Sequence, residues 1–153
     1  MKVIAELKGD ANVAGIVTIT QADASSPVHI HGELTGLAAG KHGLVIHEFG
    51  DLSNGLTSAG PHLNPHSQTH GAPKNKNRHV GDLDNIIAPE SGMTVFDIEA
   101  QNVTLFGPHS VIGRTVIVYA DEDDLGEGGH ELSLVTGNSG GRLVGGNIVP
   151  AQA

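Results

Sequence analysis

The chain reads as a series of short apolar segments broken by turn residues. VIAEL (3–7), GIVTIT (15–20), VHIHGEL (28–34), KHGLVIH (41–47), MTVFDIE (93–99), NVTLF (102–106), RTVIVYA (114–120) and RLVGGNIV (142–149) are rich in β-branched residues. Several alternate apolar and polar positions, the period of a strand with one face buried, and no segment keeps a helical period for a useful length. Eight strands at this spacing predict an all-β sandwich or barrel. Two longer intervals, 50–82 and 120–142, lack strand character, and loops of that length in a compact domain carry function or are disordered. No repeat, linker or composition shift divides the chain, so 1–153 reads as a single domain, as its length allows.

Composition narrows the function classes. With three Phe, one Tyr and no Trp, the core must come from Val, Ile, Leu and Ala. A net charge of −9 opposes binding to nucleic acid or an anionic membrane, both of which require a basic footprint. No stretch approaches the ~20 apolar residues of a membrane span. The N-terminal MKVIAELKGDANV lacks the apolar region of a secretory signal, which makes the cytoplasm the expected location. The chain has no cysteine, so neither disulfides nor thiol chemistry are available.

The histidines change the picture. Six of the ten fall in HGLVIHEFGD (42–51) and GPHLNPHSQTHGAPKNKNRHVGD (60–82). Within the second stretch, His62, His70, His79 and Asp82 stand in a loop of Gly, Pro and Asn. Three imidazoles and one carboxylate form the ligand set of a closed, four-coordinate zinc ion. Such a site is structural: hydrolysis would need an open position for water. One Zn²⁺ per chain is expected.

HEFGD, TSAGPH, NRHVGDL, IGRT, DDLG, GGHELS, TGNSGGRL and GGNIV, spread in register over about residues 3–149, resemble the Cu/Zn superoxide dismutase family. The resemblance implies an eight-stranded, flattened Greek-key β-barrel, a sandwich of immunoglobulin-like architecture. It also implies a zinc loop at 50–82 and an electrostatic loop at 120–142, and places the zinc ligands on the same four residues. Family members hold copper with four histidines, one of them bridging to zinc. Here only His47 and the bridging His62 remain of that set, while Val45 and Tyr119 occupy the other two positions. Val45, two residues before His47, projects from the same strand face and offers no donor atom. Tyr119 offers a phenol, a poor ligand for soft Cu(I). Copper is therefore expected to be absent or weakly held.

The same resemblance implies further roles. Arg142 matches the arginine that guides the anion, but the guiding-lysine positions read Asp121 and Val135, and DEDDLGE is strongly acidic. Asp123 matches the carboxylate linking a copper histidine to a zinc histidine; opposite Val45 it can orient only His70. The positions of the family's intrasubunit disulfide read Leu56 and Gly145. The expected function is thus a superoxide-dismutase-like protein with little or no dismutase activity, engaging superoxide only if copper binds. The alternative is a weakened dismutase using His47, His62 and Tyr119. His29 and His31 share one strand face, read as solvent-facing, at a spacing that can take up adventitious metal. His66 could compete for the zinc but reads, like His109 and His130, as a surface residue. Eukaryotic relatives pair through an apolar face. Ile4, Phe49 and Ile112 keep part of it, whereas Glu6, Asn147 and Pro150 interrupt it. A monomer or a weakened homodimer is expected.

Overall fold

In the computed structural model, which describes residues 1–9, 12–72, 76–90, 92–100 and 102–151, the alternating segments form antiparallel strands. These are β1 (Lys2–Gly9), β2 (Ala14–Thr20), β3 (Val28–Thr35), β4 (Gly40–His47), β5 (Ser53–Leu56), β6 (Asp82–Ala88), β7 (Met93–Ala100), β8 (Thr115–Tyr119) and β9 (Arg142–Pro150). All but β5 hydrogen-bond in the order β6-β4-β8-β9-β1-β2-β3-β7. The end strands β6 and β7 lie against each other, so the sheet is a nearly closed barrel. This is the expected all-β, Greek-key class. Among the described residues, no helix is long and apolar enough to cross a membrane.

Alternation decides which side chains fill the barrel. Val3, Ala5 and Leu7 of β1, Val17 and Ile19 of β2, and Val28, Ile30 and Leu34 of β3 are fully buried, while their sequence neighbours face outward. Each large aliphatic side chain so buried contributes about 1.5–3 kcal/mol. Strands β4 and β8 differ in being buried on both faces. Leu44, Ile46, Val116 and Val118 join the barrel core. Val45, Ile117 and Tyr119 point the other way and form a second apolar cluster with Ala59, Leu52 and Leu56. The long loop after β4 covers that cluster.

Two elements differ from the sequence pattern. NVTLF is not a strand. Val103 and Leu105 are buried as the alternation suggests, but their segment is a loop whose backbone is satisfied by side chains. The Leu105 N–H donates to Gln21 Oε1 at 2.7 Å and the Phe106 N–H to Thr104 Oγ1 at 3.1 Å. Conversely, DLDNIIA, at the end of the predicted metal loop, is strand β6. Two aspartates and an asparagine mask its apolar side, and pairing with β4 shifts register between Gly43 and Val45. The 50–82 interval also contains β5 and a 3₁₀ turn at Thr57–Ala59; its residues 73–75 lie outside the described ones. The 120–142 interval contains one short helical turn, α1 (Ser133–Thr136).

Candidate metal centre

Four side chains converge on one buried point. His62 sits in an isolated bridge to His47 at the end of β4, His70 and His79 come from the loop, and Asp82 opens β6. All four are buried, and one ligand atom from each lies within 4.8 Å of the others. Asp82 Oδ1 is 2.9 Å from His62 Nδ1, 3.0 Å from His70 Nδ1 and 3.3 Å from His79 Nδ1. His62 Nδ1 and His79 Nδ1 are 3.1 Å apart. A tetrahedral ion bound at about 2.0–2.1 Å has ligand atoms about 3.3–3.4 Å apart, close to these separations. The other carboxylate oxygen, Asp82 Oδ2, accepts the backbone N–H groups of His79 (2.9 Å) and Gly71 (3.2 Å), which fixes Oδ1 toward the imidazoles.

Protonation is equally directed. His70 Nε2 faces Asp123 Oδ1 at 2.7 Å and therefore carries the proton. Its Nδ1 faces the cluster, 3.0 Å from Asp82 Oδ1. Burial disfavours a charged His70, but hydrogen bonds to Asp123 and Asp82 prevail and push its pKa up to about 9. Burial also opposes charge on Asp82, yet the three imidazoles hold it well below the usual carboxylate range. The anionic Asp82 among three imidazoles is the donor set of a closed zinc site, and the residues fit that ion.

The loop is held to this point by contacts that no sequence pattern disclosed. Arg78, buried, donates from Nη2 to the carbonyls of Val80 (3.1 Å) and Asp82 (2.9 Å). Asn85 of β6 exchanges two hydrogen bonds with the Asp123 backbone, at 2.9 and 2.7 Å. His42, buried in β4, places ring nitrogens at the Tyr119 and Ala38 carbonyls, 2.9 and 2.7 Å away. Gly60 has φ 77° and ψ −157°, a conformation essentially confined to glycine. Its carbonyl accepts both His47 Nδ1 and Arg142 Nη2 at 2.7 Å. Arg142 Nη1 also donates to the Leu56 carbonyl at 2.8 Å.

Beside the cluster, His47, His62 and Tyr119 meet. Because His47 Nδ1–H donates to Gly60, its Nε2 carries the lone pair and accepts from the Tyr119 hydroxyl at 2.7 Å. His62 Nε2 is 3.4 Å from the same oxygen. Burial, with the neighbouring His62, keeps His47 neutral, its pKa lowered to about 3. Burial likewise raises the Tyr119 phenol to about 12, although Arg142 nearby opposes the shift. Val45 lies at 1% exposure in the apolar cluster with Ile117 and Tyr119. Asp123 Oδ2, buried, has no hydrogen-bond partner among the described residues.

The copper/zinc superoxide dismutase family model matches residues 13–148. The chain belongs to that family. The barrel brings His47, His62, His70, His79, Asp82 and Tyr119 together, with Val45 packed against Tyr119. An open cavity of about 460 Å³ leads to His62, His79 and Arg142. Its mouth carries the exposed Leu134 and Val135. Asp121 opens the acidic loop. Leu56 packs over Gly145 so closely that a Cβ there would meet Leu56 Cδ2 at 2.8 Å.

Proposed function

We propose that this family member is a zinc-stabilised protein with little or no superoxide dismutase activity. Zn²⁺ held by His62, His70, His79 and Asp82 orders the long loop, with Asp123 orienting His70 and fixing its tautomer. One observation supports the loss of copper above the others: the His47 Nε2 lone pair accepts the Tyr119 hydroxyl proton. A metal there would have to break that bond, find no donor at Val45, and displace a phenol proton whose pKa is raised to about 12. Four-histidine copper coordination does not fit these residues. Zinc has no redox chemistry, and dismutation needs a metal that alternates between two states. Arg142, the anion-guiding residue of an active member, is engaged with the Leu56 and Gly60 carbonyls. The role is then one of binding or metal handling.

Metal analysis of protein purified without added metal tests the zinc assignment: close to one equivalent is expected, and less than half would sink it. The clustering of His47 Nε2, His62 Nε2 and Tyr119 Oη favours one second reading, a weak copper enzyme with a phenolate ligand. Assay of copper-loaded protein decides between the two. Ordinary family rates, abolished by His47→Ala, would refute the first reading. Val45→His with Tyr119→His is expected to restore copper binding.

A further inference from the structure

The outer face of the barrel carries a second group of metal-binding side chains, remote in sequence from the first. Strand β3 presents His29 and His31 outward, alternating with the buried Val28, Ile30 and Gly32. Strand β7 runs antiparallel beside it, with Glu99 directly opposite His29 and Asp97 opposite His31. Register and alternation put all four on one solvent-facing surface. They form a rectangle about 5 Å across the strands and about 7 Å along them, a span that imidazole and carboxylate arms can close over one ion.

One edge of that rectangle is already closed. His31 Nδ1 and Asp97 Oδ1 are 2.7 Å apart although the side chains are 43% and 79% exposed. Donor atoms about 2.1 Å from a planar four-coordinate ion stand about 3 Å from one another, so the pair is spaced as adjacent ligands would be. The surroundings favour a cation. Strands β2, β3 and β7 contain no lysine or arginine, and Glu33 extends the same outward row of β3. Lys2 lies in the row of His29, but two strands away, with Thr20 between them.

We propose that His29, His31, Asp97 and Glu99 form a second, surface site for a divalent transition-metal ion. Mixed imidazole and carboxylate donors in a flat array suit Cu²⁺ and Ni²⁺, and affinity across the series peaks at Cu²⁺. The ion takes the place of the proton that His31 and Asp97 share in its absence. Being exposed, the site exchanges its ion with solvent, unlike the buried cluster. The proposal depends on neither the zinc nor the copper reading of the interior.

Tag-free, zinc-loaded protein titrated with Cu²⁺ and, separately, Ni²⁺ provides the test. Equilibrium dialysis counts bound ions while zinc retention is measured, and paramagnetic broadening of histidine ring resonances locates the copper. One equivalent beyond zinc is expected, with His29 and His31 broadened first. His29→Gln with His31→Gln should abolish that equivalent, leaving zinc content and melting unchanged. Asp97→Asn with Glu99→Gln should weaken it about tenfold or more. Absence of any equivalent beyond zinc overturns the proposal. So does an extra equivalent that survives the paired histidine substitution, whether or not His47→Ala removes it, because the ion then sits elsewhere.

Discussion

Tyr119 serves two environments at once. The ring fills space in the apolar cluster beside Val45, and the hydroxyl takes up the His47 lone pair. It is also the only tyrosine of a chain without tryptophan, so ultraviolet absorbance follows it alone. In metal-free protein its tyrosinate band is expected to rise with a midpoint near pH 12, against about 10 after unfolding. The sign follows from the raised value. Stability from the neutral phenol is fully present below about pH 10 and is lost as pH rises through about 12, amounting to on the order of 2–3 kcal/mol. A midpoint near 10 in folded protein would mean that the ring is solvated. Tyr119→Phe leaves His47 Nε2 buried and unpaired, and is expected to cost about 1–3 kcal/mol in urea unfolding.

On the proposed zinc reading, the long loop between β4 and β6 is the element that depends on metal. Among its described residues, few large apolar side chains are buried, and its shape rests on His62, His70, His79, Asp82, Arg78 and the Gly60 carbonyl. Chelation of zinc should therefore raise hydrogen exchange across residues 61–81 while leaving β1, β2 and β3 protected. Because a ligand at 1,000 times its Kd adds about 4 kcal/mol, the melting temperature should fall by several degrees. Exchange in the loop that does not respond to chelation would show that the metal is not its organiser. This element also marks how far the sequence could be read. The four donors were legible because their chemistry is specific and turn residues separate them. Strand β6 was not, because Asp82 and Asn85 are spent on the cluster and on Asp123. NVTLF misled for the opposite reason: its alternation is real, but Gln21 and Thr104 supply the backbone partners that a neighbouring strand would have given. Arg78 and His42 had no signal at all, since their partners are backbone carbonyls fixed only by the fold.

At the scale of the whole molecule, the barrel carries apolar side chains on its outside. Phe49 is 50% and Val149 45% exposed, and Ile112 is half-buried. Glu6, on the neighbouring strand β1, is exposed and pairs with Lys8 at 3.3 Å. In a two-fold contact through this face every substitution acts twice, and burying that charge would cost more than so small an apolar area returns. Sedimentation at micromolar concentration is expected to give a species of 15.7 kDa; a dimer that survives dilution would contradict this.

The packing of Leu56 over Gly145 has a consequence for how the protein matures. A carbon–carbon contact has no oxidation state. With no cysteine in the chain, neither glutathione nor molecular oxygen can alter the covalent framework of this barrel. Reductant should leave its melting temperature unchanged, and a calorimetric scan with and without dithiothreitol checks this. If zinc orders the long loop, as proposed above, folding answers to one variable, the supply of zinc, and the polypeptide can reach the same end state in a reducing or an oxidising compartment.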